Sequence, residues 1–244
     1  MSTSVKGLVI REQTIGESDR LVTLLTSDFG LVRAFARGAK QMKNRMNSST
    51  SLFAYADFSL YRGRDAFVID AASPIEVFFD LRKDIKKLSL AQYFVQLAYE
   101  LANEEQPAEE MLSVILNSLH LLCYTDKDLR LVKSAVEFRM LSLGGYMPNI
   151  LACNECATYE TDMMFFDALE GCIYCEHHGK AGSIPVPKNV ITAIRFICLT
   201  EPKKIFSFSL SEDNMNLLQS VSEKYLMSRI QKNLPTLVFY KGLD

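Results

Sequence analysis

The chain lacks most of what an enzyme, a membrane protein or a secreted protein would advertise. It has no G-x-x-x-x-G-K-[ST] phosphate cradle, no G-x-G-x-x-G, no G-x-S-x-G and no H-E-x-x-H. Nucleotide hydrolysis, dinucleotide redox chemistry and zinc-protease chemistry therefore have no anchor. Only three histidines occur. His120 sits between Leu119 and Leu121 in a helical pattern and reads as structural. Asp167 and Glu170 are near neighbours without a nucleophile, in a stretch that reads as a turn. No apolar run approaches the roughly 20 residues of a membrane-spanning helix, and MSTSVKGLVIREQT lacks a basic-then-apolar signal pattern. The expectation is a cytosolic protein. There is no excess of positive charge: 27 Lys and Arg against 29 Asp and Glu give a net charge of −2. Contact with a polyanion would have to come from a local patch. No internal repeat or low-complexity segment is visible.

What is present begins with β-structure. Within residues 1–80, VKGLVIRE, RLVTLLTS, GLVRAFAR, DFSLYRG and AFVIDAAS are short runs of β-formers punctuated by glycine and proline. Leu31, Arg33, Phe35 and Arg37 fall on one face of their strand, and Val32, Ala34 and Ala36 on the other. Five short strands suggest a small barrel of the OB type, in which closure removes exposed edges; a small open sheet fits the pattern almost as well. From about residue 84 the period changes. Leu90, Phe94, Leu97 and Leu101 step as one helix face does, with a second stripe through Leu88, Ala91, Val95, Ala98 and Ala102. Pro107 can open the next helix, and Leu129 through Leu143 form a third that stops at Gly144 and Gly145. Residues 188–199 read as another helix, and Ser211 as the cap of a long last one with Met215, Leu218, Val221 and Tyr225 inward. The organisation expected is α+β and multidomain: a barrel over 1–80, a helical bundle over 81–148, a cysteine-rich module over 149–183, and helices over 184–244 completing the bundle.

Six cysteines in a reducing compartment argue for metal or reactive thiols rather than disulfides. Four of them, Cys153, Cys156, Cys172 and Cys175, form C-x2-C-x15-C-x2-C. Two tight turns that each aim two thiolates at one point make a tetrahedral S4 shell, which suits zinc in a closed, structural role. His177 and His178 follow at once. One of them could replace Cys175, but the plainer reading is two exposed loop residues. A Cys175/His178 dyad would compete with metal for the same sulfur. Cys123 and Cys198 lie among apolar residues and read as small buried hydrophobes.

From Phe29 to Ala56 there are five basic residues, Arg33, Arg37, Lys40, Lys43 and Arg45, and no Asp or Glu. Arg62 and Arg64 follow in YRGRD. Cations on a polar loop leaving a barrel strand can track a phosphate backbone, each contact releasing counterions; the plainer reading is a solvated loop. Of Phe35, Phe53, Tyr55, Phe58 and Tyr61, most are expected in the barrel core, not stacked on bases.

Three segments together carry a resemblance. GESDRLVTLLTSDFG (16–30), ARGAKQMKNRM (36–46) and VEFRMLSLGGYMPNILACNECA (136–157) resemble the signature turn, the basic segment and the helix end with its C-x-x-C of the bacterial recombination mediator family RecO. The resemblance spans nearly the whole chain and departs from the family at Val136, where a bulky aromatic is usual, and at His177–His178. It implies an N-terminal OB-fold, a helical bundle and a zinc module. It also implies binding of single- and double-stranded DNA, strand annealing, and help in loading recombinase onto strands coated by the single-strand binding protein SSB, without enzymatic chemistry. The partners implied are RecR and the acidic C-terminal tail of SSB, in a cytoplasmic, nucleoid-associated setting. Carried onto this sequence, Arg37 and Lys40 fall on the DNA-contacting loop with Arg33, Lys43 and Arg45 as helpers. In the signature turn, Glu17, Asp19 and Arg20 are read as structural: Asp19 accepting backbone N–H bonds, Arg20 pairing with it. A cation beside an apolar pocket is what an acidic, Phe-terminated tail needs, which makes Arg130, Lys133 and Arg139 candidates for partner binding. A protein–protein adaptor stabilised by zinc, with no direct DNA contact, is the rival.

Overall fold

The computed structural model describes residues 2–41, 44, 46–64 and 66–243. Five strands, β1 (Thr3–Ile15), β2 (Asp19–Thr26), β3 (Gly30–Ala36), β4 (Ala54–Arg62) and β5 (Phe67–Val77), close into a barrel in the order β1-β2-β3-β5-β4. All five runs expected as strands are strands, and closure decides between barrel and open sheet. A short helix, α1 (Met46–Ser49), lies between β3 and β4. The alternation on β3 is as read: Val32, Ala34 and Ala36 are buried while Arg33 is exposed and Leu31 and Phe35 are half-buried. Inward positions are filled by Val5, Val9, Val22, Leu24, Phe58, Leu60 and Ile69, with alanines at 34, 36, 54 and 56 that keep a five-stranded barrel narrow enough to fill. Strand β1 is long enough to pair with both β2 and β4, and an irregularity between Val9 and Arg11 bends it between the two. The seam opposite is thin. β3 meets β5 in parallel through Ala34↔Phe67 and Phe35↔Val68.

Residues 1–125 and 235–244 form one compact unit and residues 126–234 a second. The first holds the barrel with α2 (Ile85–Leu101), α3 (Glu109–Tyr124) and α7 (Pro235–Lys241). Asp84 caps α2 by accepting from the Lys86 and Lys87 N–H groups. Both apolar stripes of α2 are buried apart from Leu88, which is half-buried. Pro107 precedes the α3 N-cap, Ala108, instead of opening its first turn. The loop between α2 and α3 is stitched to the barrel's β2–β3 turn: Leu31 N–H donates to Asn103 O (3.0 Å), Glu105 N–H to Phe29 O (3.0 Å) and Ala108 N–H to Ser27 O (2.8 Å). Gly30 is required there twice over. Its φ is +60°, and a Cβ would lie 2.1 Å from Asn103 O.

The second unit holds α4 (Leu129–Leu143), α5 (Lys188–Leu199), α6 (Glu212–Arg229) and a small sheet. Its strands, β6 (Asn149–Cys153), β7 (Met163–Asp167), β8 (Cys172–Tyr174) and β9 (Ile184–Pro187), run in the order β6-β8-β7-β9. Phe138 of α4, Phe166 of β7 and Tyr225 of α6 meet in this unit's core, with ring centroids 5.5–6.4 Å apart. The helices expected as one bundle thus divide between the units. Ser211 occupies the α6 N-cap position, but its hydroxyl caps nothing; Glu212 and Asp213 supply the negative charge at that end.

Candidate metal centre and cationic barrel surface

The group among the described residues that could hold a metal ion is Cys153, Cys156, Cys175 and His178, whose ligand atoms all lie within 4.8 Å of one another. Cys156 Sγ is 3.7 Å from Cys175 Sγ, Cys175 Sγ is 3.1 Å from His178 Nδ1, and Cys153 Sγ is 3.9 Å from His178 Nδ1. Two sulfurs on a tetrahedral ion with metal–sulfur bonds of about 2.3 Å sit about 3.8 Å apart, so these four atoms fit the group expected there.

This group differs from the four-cysteine set expected. Cys172 is outside the group and His178 is in it, beside Cys175 rather than in its place. The cause is local geometry. Two ligands three residues apart converge only across a turn. Cys153 to Cys156 makes one, closed by Ala157 N–H to Cys153 O (2.9 Å), and so does Cys175 to His178, closed by His178 N–H to Cys175 O (3.0 Å). Cys172 instead begins β8, paired opposite Asp167 and Asn149, and an odd offset along an extended chain sends side chains to opposite faces. His177 is exposed, as expected of it.

Burial pushes the Cys153 thiol up, but backbone N–H groups of Cys156, Cys175 and Glu155 more than offset it and hold the thiol at about 6. A thiolate is thus favoured where a metal needs one. Burial raises Cys175. The two cysteines outside the module differ: burial drives both thiols up to about 11, yet Cys198 is buried as expected while Cys123 is only half-buried. The root of the module is held without sulfur. Arg195 of α5, itself buried, donates to the carbonyls of Ile150 (2.7 Å), Leu151 (3.0 Å) and Tyr159 (2.6 Å). Asp167 accepts from the Leu169 and Glu170 N–H groups, so it closes a turn.

On the barrel, Arg33, Arg37 and Lys40 are exposed, and none forms an ion pair with a described residue. Lys43 and Arg45 lie outside the described residues. The backbone carrying these cations is pinned. Asp19 accepts from Gly38 N–H (2.7 Å), Lys40 N–H donates to Ser18 O (2.9 Å), and Asn44 Nδ2 donates to Gly38 O (2.9 Å). Asp19 does what was expected of it; Arg20 does not pair with it. Arg20 reaches across to α1, donating to Asn47 O (2.7 Å) and Thr50 Oγ1 (3.1 Å). Phe53 and Phe58 are core, Phe35 and Tyr55 half-buried and Tyr61 exposed.

The three cations expected to serve a partner do not make an exposed face. Lys133 is fully buried, with Glu137 Oε1 at 2.7 Å and Glu223 Oε2 at 3.0 Å. Burial favours its neutral form, but the two carboxylates outweigh burial and its pKa is raised. Arg139 is buried and donates to the Cys198 carbonyl. Arg130 bridges Asp128 and Glu212. A sequence pattern registers a basic residue at helical spacing but not the acids that enclose it from another helix.

The family-model description "Recombination protein O N terminal" matches residues 1–78, and "Recombination protein O C terminal" matches residues 82–237. The chain belongs to the RecO family. Among its relatives, the DNA repair protein RecO of Acetivibrio thermocellus is 32% identical over 241 residues, covering 98% of this chain and 96% of that one. Those of Caldicellulosiruptor bescii (27% identical, 98% of each) and Alkaliphilus metalliredigens (25% identical, 95% of each) align over nearly the same span. The closed barrel and the Cys/His cluster of this RecO-family chain therefore belong to a full-length match. No helix among the described residues is long and apolar enough to cross a membrane. His178 is the site residue that sequence reasoning left out of the ligand set. The available signal was spacing: Cys175-x-x-His178 repeats the offset of Cys153-x-x-Cys156.

Proposed function

We propose that this chain is a non-enzymatic recombination mediator of DNA repair. In this reading the barrel binds single- and double-stranded DNA and pairs complementary strands, and the protein helps load recombinase onto SSB-coated strands. The observation that carries it is the set of exposed cations on the barrel that form no ion pair with a described residue, with Arg33 on the outer face of β3 and Arg37 and Lys40 just beyond its end. Annealing needs no covalent chemistry. Guanidinium and ammonium groups that neutralise phosphates lower the repulsion between two strands and hold them within pairing distance. Lys43 and Arg45 extend the same basic segment in the sequence. RecR and the acidic tail of SSB are the partners this reading assigns, in the cytoplasm and at the nucleoid.

Zinc is the ion assigned to Cys153, Cys156, Cys175 and His178. Three thiolates and an imidazole fill a tetrahedral shell and leave no position for water or substrate, so the ion braces the fold. The test of the whole reading is the variant Arg37→Ala with Lys40→Ala. Its affinity for a short single strand at low salt should fall about tenfold, and the slope of log K against log salt should shrink by roughly 1.4, about 0.7 for each phosphate no longer neutralised. Unchanged affinity and slope in a folded variant would refute DNA capture by this surface.

A second reading, a metal-braced protein adaptor, is favoured by exposed apolar side chains at Ile75, Phe79 and Ile85. Binding that does not weaken between low and moderate salt would support it over DNA capture.

A further inference from the structure

Where β3 and β5 part below their two-pair seam, the barrel opens into a cleft of about 490 Å³. Its lining includes Arg33, Arg62 and Arg64 and, from the loop after α2, Glu104 and Glu105. Phe29, Leu31 and Phe67 add apolar surface to the same lining. None of these five charged side chains is in an ion pair or side-chain hydrogen bond with a described residue. Opposite charges that share a cleft without touching leave room for something between them. The backbone near these residues is also held in place. Glu104 bridges Gly30 and Leu31, Glu105 N–H donates to Phe29 O, and Gly63 N–H, between Arg62 and Arg64, donates to Ala66 O (3.0 Å). Gly63 allows that close approach, since a Cβ there would lie 2.4 Å from Ala66 O.

We propose that this cleft seats one nucleotide of a single strand, its phosphate on Arg33, Arg62 and Arg64 and its base edge on Glu104 and Glu105, and that it therefore prefers bases with an exocyclic amino group. The proposal rests on the DNA-binding reading above and adds a base preference to it. Cations alone would take any phosphate. Two carboxylates in the same cleft repel a polyanion unless a donor meets them, and cytosine N4, adenine N6 and guanine N2 are such donors. Uracil offers a carbonyl at the position of the cytosine amino group, which would face the carboxylates lone pair to lone pair. The apolar lining suits the face of a base, and the volume is within the range of small-ligand sites.

The test compares the full chain's affinity for oligo-deoxycytidine and oligo-deoxyuridine of equal length at neutral pH, pyrimidines that differ only in that group and the adjoining proton. Wild type should bind the cytidine strand about tenfold more tightly. Glu104→Ala with Glu105→Ala should bring the ratio to about one, mainly by improving uridine binding. Arg62→Ala with Arg64→Ala should weaken both strands and reduce the salt slope by about 0.7 to 1.4. Thermal melts check that each variant folds, and the wild-type comparison needs no variant. Equal affinities in wild type, or a ratio that survives loss of both glutamates, overturns the cleft assignment while leaving DNA binding intact. Failure of wild type to bind either strand sinks the DNA-binding reading, and this inference with it.

Discussion

In the barrel the described buried polar residues are hydroxyls, Thr23, Thr26, Ser49 and Thr50, while Arg33, Arg37 and Lys40 are exposed and form no ion pair with a described residue. In the second unit, Lys133, Glu137, Arg139 and Arg195 are all at most 9% exposed. Each described cation of that interior is met by a carboxylate or a carbonyl. The same residue types thus serve two purposes. Enclosed charge fixes one arrangement of α4 and α6 and is costly to disturb, because removing either sign strands the other in a poorly hydrated place. Exposed, unpaired charge contributes almost nothing to folding and is free to meet an external anion.

The sharpest way to break this contrast is Lys133→Met, which leaves Glu137 and Glu223 without their shared cation. Urea denaturation should register a loss of about 3–5 kcal/mol, against less than about 0.5 kcal/mol for Arg33→Ala on the barrel. Comparable effects at the two sites would erase the distinction. Next in size is the metal centre. His178→Ala should reduce zinc affinity at least about a hundredfold, whereas Cys172→Ser should still purify with one zinc per chain, as read by metal analysis. The reverse pattern would restore the four-cysteine set. Chelation should raise amide exchange around 153–157 and 175–178 and leave the barrel protected; uniform protection with and without chelator would count against a bracing ion.

The smallest effect concerns the half-buried bridge at the start of α4. The Arg130 side chain holds Asp128 below the usual aspartate range. A carboxyl with a depressed folded-state pKa stabilises fully above its unfolded value and loses that contribution as pH falls through the folded one. Asp128→Asn should therefore cost less than about 1 kcal/mol near neutrality. That difference should fade once the pH drops below about 4. A deficit that persists at lower pH would mean that Asp128 does not act through its charge.

Much of the fold could be read in advance where one periodicity persists over a whole element. The five strand runs, the two buried stripes of α2 and the inward residues of α6 are of this kind. The small sheet of the second unit was not legible, because strands of three to five residues leave too few alternations. The seven-residue α7 has the same difficulty. At the metal centre the cluster was legible and its membership was not. C-x-x-C counts as a ligand pair only if the chain turns between the cysteines, and whether Cys172 sits in a turn or a strand is decided by its pairing with Asp167 and Asn149, distant in sequence. The burial of Lys133 depends on Glu223, ninety residues on, a separation no local window spans.

Arg195 gives the Cys-rich ribbon an attachment that owes nothing to sulfur. Clamped by one side chain at three main-chain oxygens, the root of the ribbon would stay seated if the ion departed, and only the two knuckle tips would swing. Recharging such a device resembles closing a clasp already riveted at one end, and it should be fast compared with refolding from a coil.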